Sequence, residues 1–200
     1  MPKNWQDFAL LLIDVQNDFW SGELSQQFPE FPDNIAELLQ FCRSQGIEVI
    51  HLHAVFQPDQ SDWMARYRLR GRIPCVLGTA GVRVPDFARP LAGERVFIKH
   101  SFDGFLQPEL NAYLQQAGKR FILTAGLVTS TCVLFTTVAA AQLGFLTAVI
   151  EDCCADYPAW HIQTLDTYQF IFERAVVSEL DAQHEKWTSE LEKLAETPTI

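Results

Sequence analysis

The chain has 200 residues, 48% hydrophobic and 20% charged, with 25 acidic side chains against 15 basic and a net charge of -10. That composition excludes an intrinsically disordered chain and allows one α/β unit with a sizeable core. The acidic balance argues against nucleic acid or an anionic membrane as a main partner.

The first element is Phe8 to Val15, a continuous apolar run broken by Asp14. It reads as a strand buried on both faces of a parallel sheet. It is too short for a signal or membrane-spanning helix, which points to a cytoplasmic protein that does not enter the membrane. A polar, Pro-containing loop follows. Asp33 or Asn34 is then expected to cap a helix carrying Ile35, Leu38, Leu39 and Cys42 on one stripe and stopping near Gly46.

Ile47 to Phe56 is the second expected strand. The connection from Gln57 to Val84 is long for a compact domain, which suggests a lid, a binding loop or an oligomer contact. Arg95 to Ile98 is the third strand, ending at Lys99, and Pro108 opens a helix that closes at Gly118. Phe121 to Ala125 is the fourth strand, with a helix from Cys132 to Leu143 after it. Phe145 to Ile150 is the fifth, followed by a helix over Ala159 to Phe172 and a short sixth strand at Ala175 to Val177. Leu180 to Ala195 is an amphipathic terminal helix with Trp187, Leu191 and Leu194 on one face. This alternation predicts an α/β fold: a doubly wound, six-stranded parallel sheet flanked by helices on both faces, Rossmann-like in plan.

The five cysteines are Cys42, Cys75, Cys132, Cys153 and Cys154. An odd number without a secretory segment argues against disulfides. The vicinal pair Cys153 and Cys154 could be redox-active, but packing is the preferred reading because vicinal disulfides are strained.

In such a sheet, ligands bind outside the strand carboxyl ends, at the switch point in strand order. Asp14, Lys99 and Cys132 all fall at strand carboxyl ends. Each has a plain structural reading: a loop carboxylate, a snorkelling lysine, a buried helix-capping thiol. Together they supply a base, a cation and a nucleophile. A helix N-terminus and a neighbouring ammonium would lower the thiol pKa, and backbone N–H groups before Cys132 could stabilise an oxyanion.

Four segments also resemble the isochorismatase-like cysteine hydrolases, which include nicotinamidases, N-carbamoylsarcosine amidase and ureidoacrylate hydrolases. They are LLIDVQNDF at 11–19, IPCVLGTAG at 73–81, IKHSFDGF at 98–105 and AGLVTSTCV at 125–133, the last followed by VIEDCCA. The resemblance implies a single isochorismatase-like hydrolase domain over residues 1–200. It implies Asp14, Lys99 and Cys132 as a catalytic triad and a cis peptide at Leu127–Val128. It further implies an oxyanion hole made by the N–H groups of Val128 and Cys132.

Two departures narrow the expectation. Nicotinamidases carry metal ligands after the second strand, whereas this chain has Ala54 and Phe56 at the matching positions. His51 and His53 share a strand face and could ligate in principle, with packing the preferred reading. No metal and no cofactor is therefore expected. Isochorismatases that cleave a vinyl ether lack the nucleophilic cysteine, so Cys132 favours C–N hydrolysis of an amide, ureido or carbamoyl group through a thioester. The alternatives are a vinyl-ether hydrolase and a catalytically silent member that binds a ligand. For substrate contact the sequence offers Phe19, Trp20, Trp63, Arg66 and Phe105, all in loops near the expected edge. Arg66, Arg68, Arg70 and Arg72 could present a carboxylate-binding arginine, a solvated basic loop or an oligomer contact. Asp18 could touch substrate or brace a loop. The expected partners are a small-molecule substrate and further copies of the chain, as a dimer or tetramer.

Overall fold

A computed structural model describes residues 3–20 and 22–196. Its strands are β1 (Phe8–Ile13), β2 (Glu48–Ala54), β3 (Arg95–Lys99), β4 (Phe121–Leu127), β5 (Leu146–Ala155) and β6 (Glu173–Ala175). Its helices are α1 (Glu23–Gln27), α2 (Phe31–Gln45), α3 (Ala65–Arg70), α4 (Pro108–Gln116), α5 (Leu134–Gln142), α6 (Pro158–Tyr168) and α7 (Leu180–Glu196). The strands form one all-parallel sheet in the order β3-β2-β1-β4-β5-β6. This is the expected doubly wound α/β fold. Among the described residues, no helix is long and apolar enough to cross a membrane.

Strand alternation builds a core on each face. From β1, Phe8, Leu10 and Leu12 pack on one side against Ile35, Leu38 and Leu39 of α2 and Trp187 and Leu191 of α7. Ala9, Leu11 and Ile13 pack on the other against Leu110 and Leu114 of α4, Leu134 and Ala140 of α5 and Leu165 of α6. A strand covered on both faces has no polar positions, which explains the unbroken apolar run. Burying such side chains stabilises by about 25 cal/mol per Å² of apolar area. A third cluster of Ala54, Phe56, Trp63 and Cys75 anchors the long connection after β2.

Several local expectations differ from the structure, among them the sixth strand, which is Glu173–Ala175 while Val177 opens a 3-10 turn. Helix α2 starts at Phe31, with Pro32 in its first turn and no side-chain cap. Proline supplies the φ angle a helix start requires, so neither Asp33 nor Asn34 is the cap. Asn34 Nδ2 instead donates to the Asp152 carbonyl at 2.9 Å, tying α2 to β5. β5 runs on through Ala155: after a register shift, Gly126 pairs with Cys154 and Leu127 with Ala155. Cys153 and Cys154 thus lie in a strand as buried free thiols, the first in one core and the second in the other. On α7, Leu194 is exposed while Trp187 and Leu191 are buried.

Candidate active site

The strand order sets the site. β1 and β4 are neighbours, and their connections leave in opposite directions along the sheet. Gly126 lets them meet closely here, because its φ is 122° and an added Cβ would lie 2.0 Å from the Ile13 carbonyl oxygen. Asp14 follows β1 and the Cys132 turn follows β4, so the two face each other across the gap. Lys99 ends β3, two strands away, in register with Ala54 of β2.

Lys99 Nζ lies 2.7 Å from Asp14 Oδ2 as a buried ion pair. Nζ also donates to the Ser101 carbonyl at 2.7 Å. Asp14 Oδ1 accepts from the Ala54 N–H at 2.9 Å. The Cys132 thiol is within reach of both the carboxylate and the ammonium. Gln16 braces the group from below: its Oε1 accepts from the Ala54 N–H, and its Nε2 donates to the carbonyls of Ala54 and Val82.

Burial raises the Asp14 carboxyl above the ordinary range, partly offset by Lys99. Burial by itself would lower the Lys99 ammonium, but the facing negative charges outweigh it and raise the pKa. Burial and the Asp14 charge push the Cys132 thiol up, and Lys99 compensates only in part. This corrects the expectation of a thiol acidified at a helix mouth. Cys132 is 5% exposed beside a carboxylate, and desolvation by burial is the largest cause of the rise.

Cys132 sits in a single π-helical turn, Thr129–Val133, ahead of α5. The Leu127–Val128 peptide is cis. The Val128 carbonyl accepts from the N–H groups of Thr131 and Val133, leaving the Cys132 N–H out of that pairing. Ser130 N donates to Asp156 Oδ2 at 2.8 Å, and Thr129 Oγ1 shares a 2.8 Å hydrogen bond with His161 Nδ1.

Above these groups opens a cavity of about 180 Å³. Asp14, Lys99, Cys132, Ser101 and Thr131 form its polar end; Phe19, Phe56, Met64, Tyr67, Ile73 and Phe102 supply apolar wall. Of the five side chains expected at the substrate, only Phe19 lines it. Trp20 stacks on Phe31 at 4.6 Å. Trp63 is buried under the connection, its Nε1 donating to the Gln57 carbonyl. Phe105 packs against Phe145, and Arg66 is exposed on α3. The sequence reasoning missed Tyr67, Met64 and Phe102, which sit in or beside segments it did single out. Asp18 braces a loop: its Oδ2 accepts from Cys75 N at 2.7 Å.

Among the described residues, no group of three or more His, Cys, Asp or Glu side chains is placed to hold a metal ion. His51 is buried and meets Glu94 at 3.0 Å, with the His53 ring at 5.9 Å.

A doubly wound parallel sheet with Asp14, Lys99 and Cys132 gathered beside a cavity at its switch point belongs to the class of α/β proteins whose ligands lie at the strand carboxyl ends. The isochorismatase domain model matches residues 8–177, and the chain belongs to that family of hydrolases. It is 30% identical to the isochorismatase family protein YddQ of Bacillus subtilis over 74% of this chain and 77% of that one. It is 28% identical to maleamate amidohydrolase of Pseudomonas putida over 74% of this chain and 72% of the relative. The crystal structure of an isochorismatase family protein from Desulfovibrio vulgaris superposes with a TM-score of 0.81 at 27% identity, covering 88% of this chain and 97% of that one.

Proposed function

We propose that the protein is a metal-independent cysteine hydrolase that cleaves an amide, ureido or carbamoyl C–N bond of a small molecule through a thioester. The observation that carries this reading is the Cys132 thiol set against the buried Asp14–Lys99 pair at the end of an apolar cavity. The amidohydrolase among its relatives supports the C–N assignment. Ala54, the last residue of β2, and Phe56, two residues beyond it, carry no side-chain ligand for a metal.

Asp14 takes the Cys132 proton as the sulfur attacks the carbonyl carbon, so charge forms only when substrate is in place. Lys99 holds the carboxylate in position and stabilises the developing thiolate. The Val128 and Cys132 N–H groups bind the oxyanion. Asp14 then passes its proton to the departing nitrogen and the C–N bond breaks, leaving a thioester. Asp14 next takes a proton from water, which attacks the thioester, and Cys132 recovers its proton as the acid departs.

Ammonia release across a panel of amides, ureido acids and carbamoyl amino acids tests this. Wild type is expected to turn over at least one, and Cys132→Ala to lose roughly 10⁴-fold or more in kcat. Retention of wild-type turnover by Cys132→Ala would sink the thioester mechanism.

A further inference from the structure

We propose that His161 is a positioning residue for the reaction: through Thr129 it braces the turn that carries Cys132, holding the Cys132 N–H where the oxyanion forms. This rests on the hydrolase reading above and deepens it.

The turn is held loosely from within. In Thr129–Val133 the N–H groups of Thr131 and Val133 share one acceptor, the Val128 carbonyl, at 3.2 Å each. Both bonds are at the long end of the range for an amide donor. The turn is tied more tightly from outside. Thr129 Oγ1 and His161 Nδ1 are 2.8 Å apart, and Ser130 N donates to Asp156 Oδ2 at 2.8 Å. The first tie comes from α6 and the second from the residue after β5, and they hold consecutive residues of the turn. Thr129 is 1% exposed, and a hydroxyl buried that deeply needs a partner, which His161 supplies.

The imidazole is itself fixed. Phe28 lies edge-on to the ring at 5.3 Å, and the His161 N–H donates to the Tyr157 carbonyl at 2.9 Å at the start of α6. Burial lowers the imidazole pKa below its ordinary value; Glu151 and Asp156 oppose the shift and Arg174 adds to it. The ring is therefore uncharged near neutrality. It can accept the Thr129 proton at Nδ1 or donate to the hydroxyl oxygen, whereas an apolar side chain can do neither.

An oxyanion donor works because it is fixed before charge develops. Thr129 and Cys132 share one turn, so a shift at Thr129 moves the Cys132 N–H. Neither His161 nor Thr129 lines the cavity, so losing their bond leaves the substrate contacts in place. The loss belongs in kcat rather than KM.

Kinetics on an amide that the wild type cleaves test this. Thr129→Val and His161→Leu each remove the bond, while His161→Asn keeps a polar amide near the place of Nδ1. Thr147→Val removes another buried hydroxyl, on β5 and outside the cavity, and sets the scale for stability in thermal melts. In Thr129→Val and His161→Leu, kcat is expected to fall about tenfold or more with KM nearly unchanged. His161→Asn should recover most of that loss, and Thr147→Val should keep wild-type kcat. Thr129→Val/His161→Leu should be no slower than the slower single variant, since both substitutions remove one bond. Wild-type kcat in both single variants, a His161→Asn no faster than His161→Leu, or losses that multiply in the double variant overturn the proposal.

A probe that needs no turnover keeps the two readings apart. Acetaldehyde adds to the Cys132 thiol: the S–C bond forms, the C=O double bond becomes single and the thiol proton ends on the oxygen. That oxygen takes the oxyanion position, and NMR of the isotopically labelled carbonyl carbon follows the adduct, with Cys132→Ala as the blank. The dissociation constant is expected to rise about tenfold or more in His161→Leu and to hold in Thr147→Val. A weakened adduct with no amide cleaved upholds the brace and sinks the hydrolase reading. An adduct unchanged in His161→Leu overturns the brace and leaves amide hydrolysis standing. A wild type that neither cleaves an amide nor forms the adduct overturns both.

Discussion

Lys99 Nζ meets Asp14 Oδ2 at 2.7 Å, with the lysine side chain 1% exposed and the aspartate 0%. A pair this deep contributes little net stability, because desolving two charges offsets their attraction, but removing one partner strands the other. Asp14→Ala or Lys99→Met should each destabilise by about 3–5 kcal/mol. The double variant should recover part of that loss, since no lone charge remains. Denaturant melts of the three variants check this, and additive losses in the double variant would contradict it.

The pH profile should carry the mark of burial. Asp14 must be ionised to take the thiol proton, and its pKa is raised from 3.8. Activity is therefore expected to fall as pH drops through a value above that of a free aspartate. The thiol is raised from 9.0, so alkylation of Cys132 in the free enzyme should still be increasing above that pH. An acid limb at or below 3.8, or a labelling plateau near neutrality, would contradict the assignment.

Two glycines are expected to respond differently. At Gly126 a Cβ would strike the Ile13 backbone, and φ is 122° as well, so Gly126→Ala cannot be relieved by a side-chain move. At Gly81 a Cβ would lie 1.9 Å from Asp18 Oδ2, a side-chain atom that can swing away at the cost of its bond to Cys75 N. Gly81→Ala should cost about 1–3 kcal/mol and loosen the Ile73–Pro74 wall, raising KM. Gly126→Ala should cost more and lower the yield of folded protein. Thermal melts with kinetics distinguish them, and a milder effect at Gly126 would contradict the ordering.

Tyr67 and Phe105 should separate binding from packing. Tyr67 lines the cavity, so Tyr67→Ala is expected to raise KM severalfold with a small change in stability. Phe105 is half-buried against Phe145 and away from the cavity. Phe105→Ala should cost roughly 2–3 kcal/mol, below the figure for a fully buried ring, with KM little changed. The reverse pattern would mean the cavity wall is wrongly assigned.

Glu94 gives a pH dependence of stability. Burial raises its pKa, but hydrogen bonds from Arg43, the Leu91 N–H and His51 outweigh it and hold the carboxyl at about 2, against 4.5 ordinarily. A depressed carboxylate stabilises above its unfolded pKa and loses that contribution as pH falls through the folded one. Glu94→Gln should therefore lose about 1 kcal/mol near neutrality. The gap from wild type should close between pH 4.5 and about 2. Chemical denaturation across that window checks it, and a gap that widens in acid would contradict it.

Much of this site was legible in the chain because strand ends are local features. The run Phe8–Ile13 is apolar without interruption and Phe121–Leu127 is broken only by Thr124, because both faces of each strand are covered. Asp14 directly follows the first run, Cys132 lies in the turn after the second, and Lys99 is the last residue of β3. That places Asp14, Lys99 and Cys132 on one edge from sequence pattern alone.

What only the tertiary structure decided depends on direction rather than composition. Phe102 and Phe105 are three residues apart in one loop, yet one lines the cavity and the other packs against Phe145. Nothing in their local pattern distinguishes them, because loop path is set by what the loop lies on. β5 continues past Glu151 and Asp152 because its register against β4 shifts, a long-range pairing that local polarity masks. The direction of the Cys132 shift was decided the same way: the chain places the thiol at a helix mouth, but the depth of burial and Asp14, brought in from 118 positions away in sequence, raise its pKa. Local chemistry follows from residue type and spacing, whereas electrostatics and cavity shape follow from what the fold packs alongside.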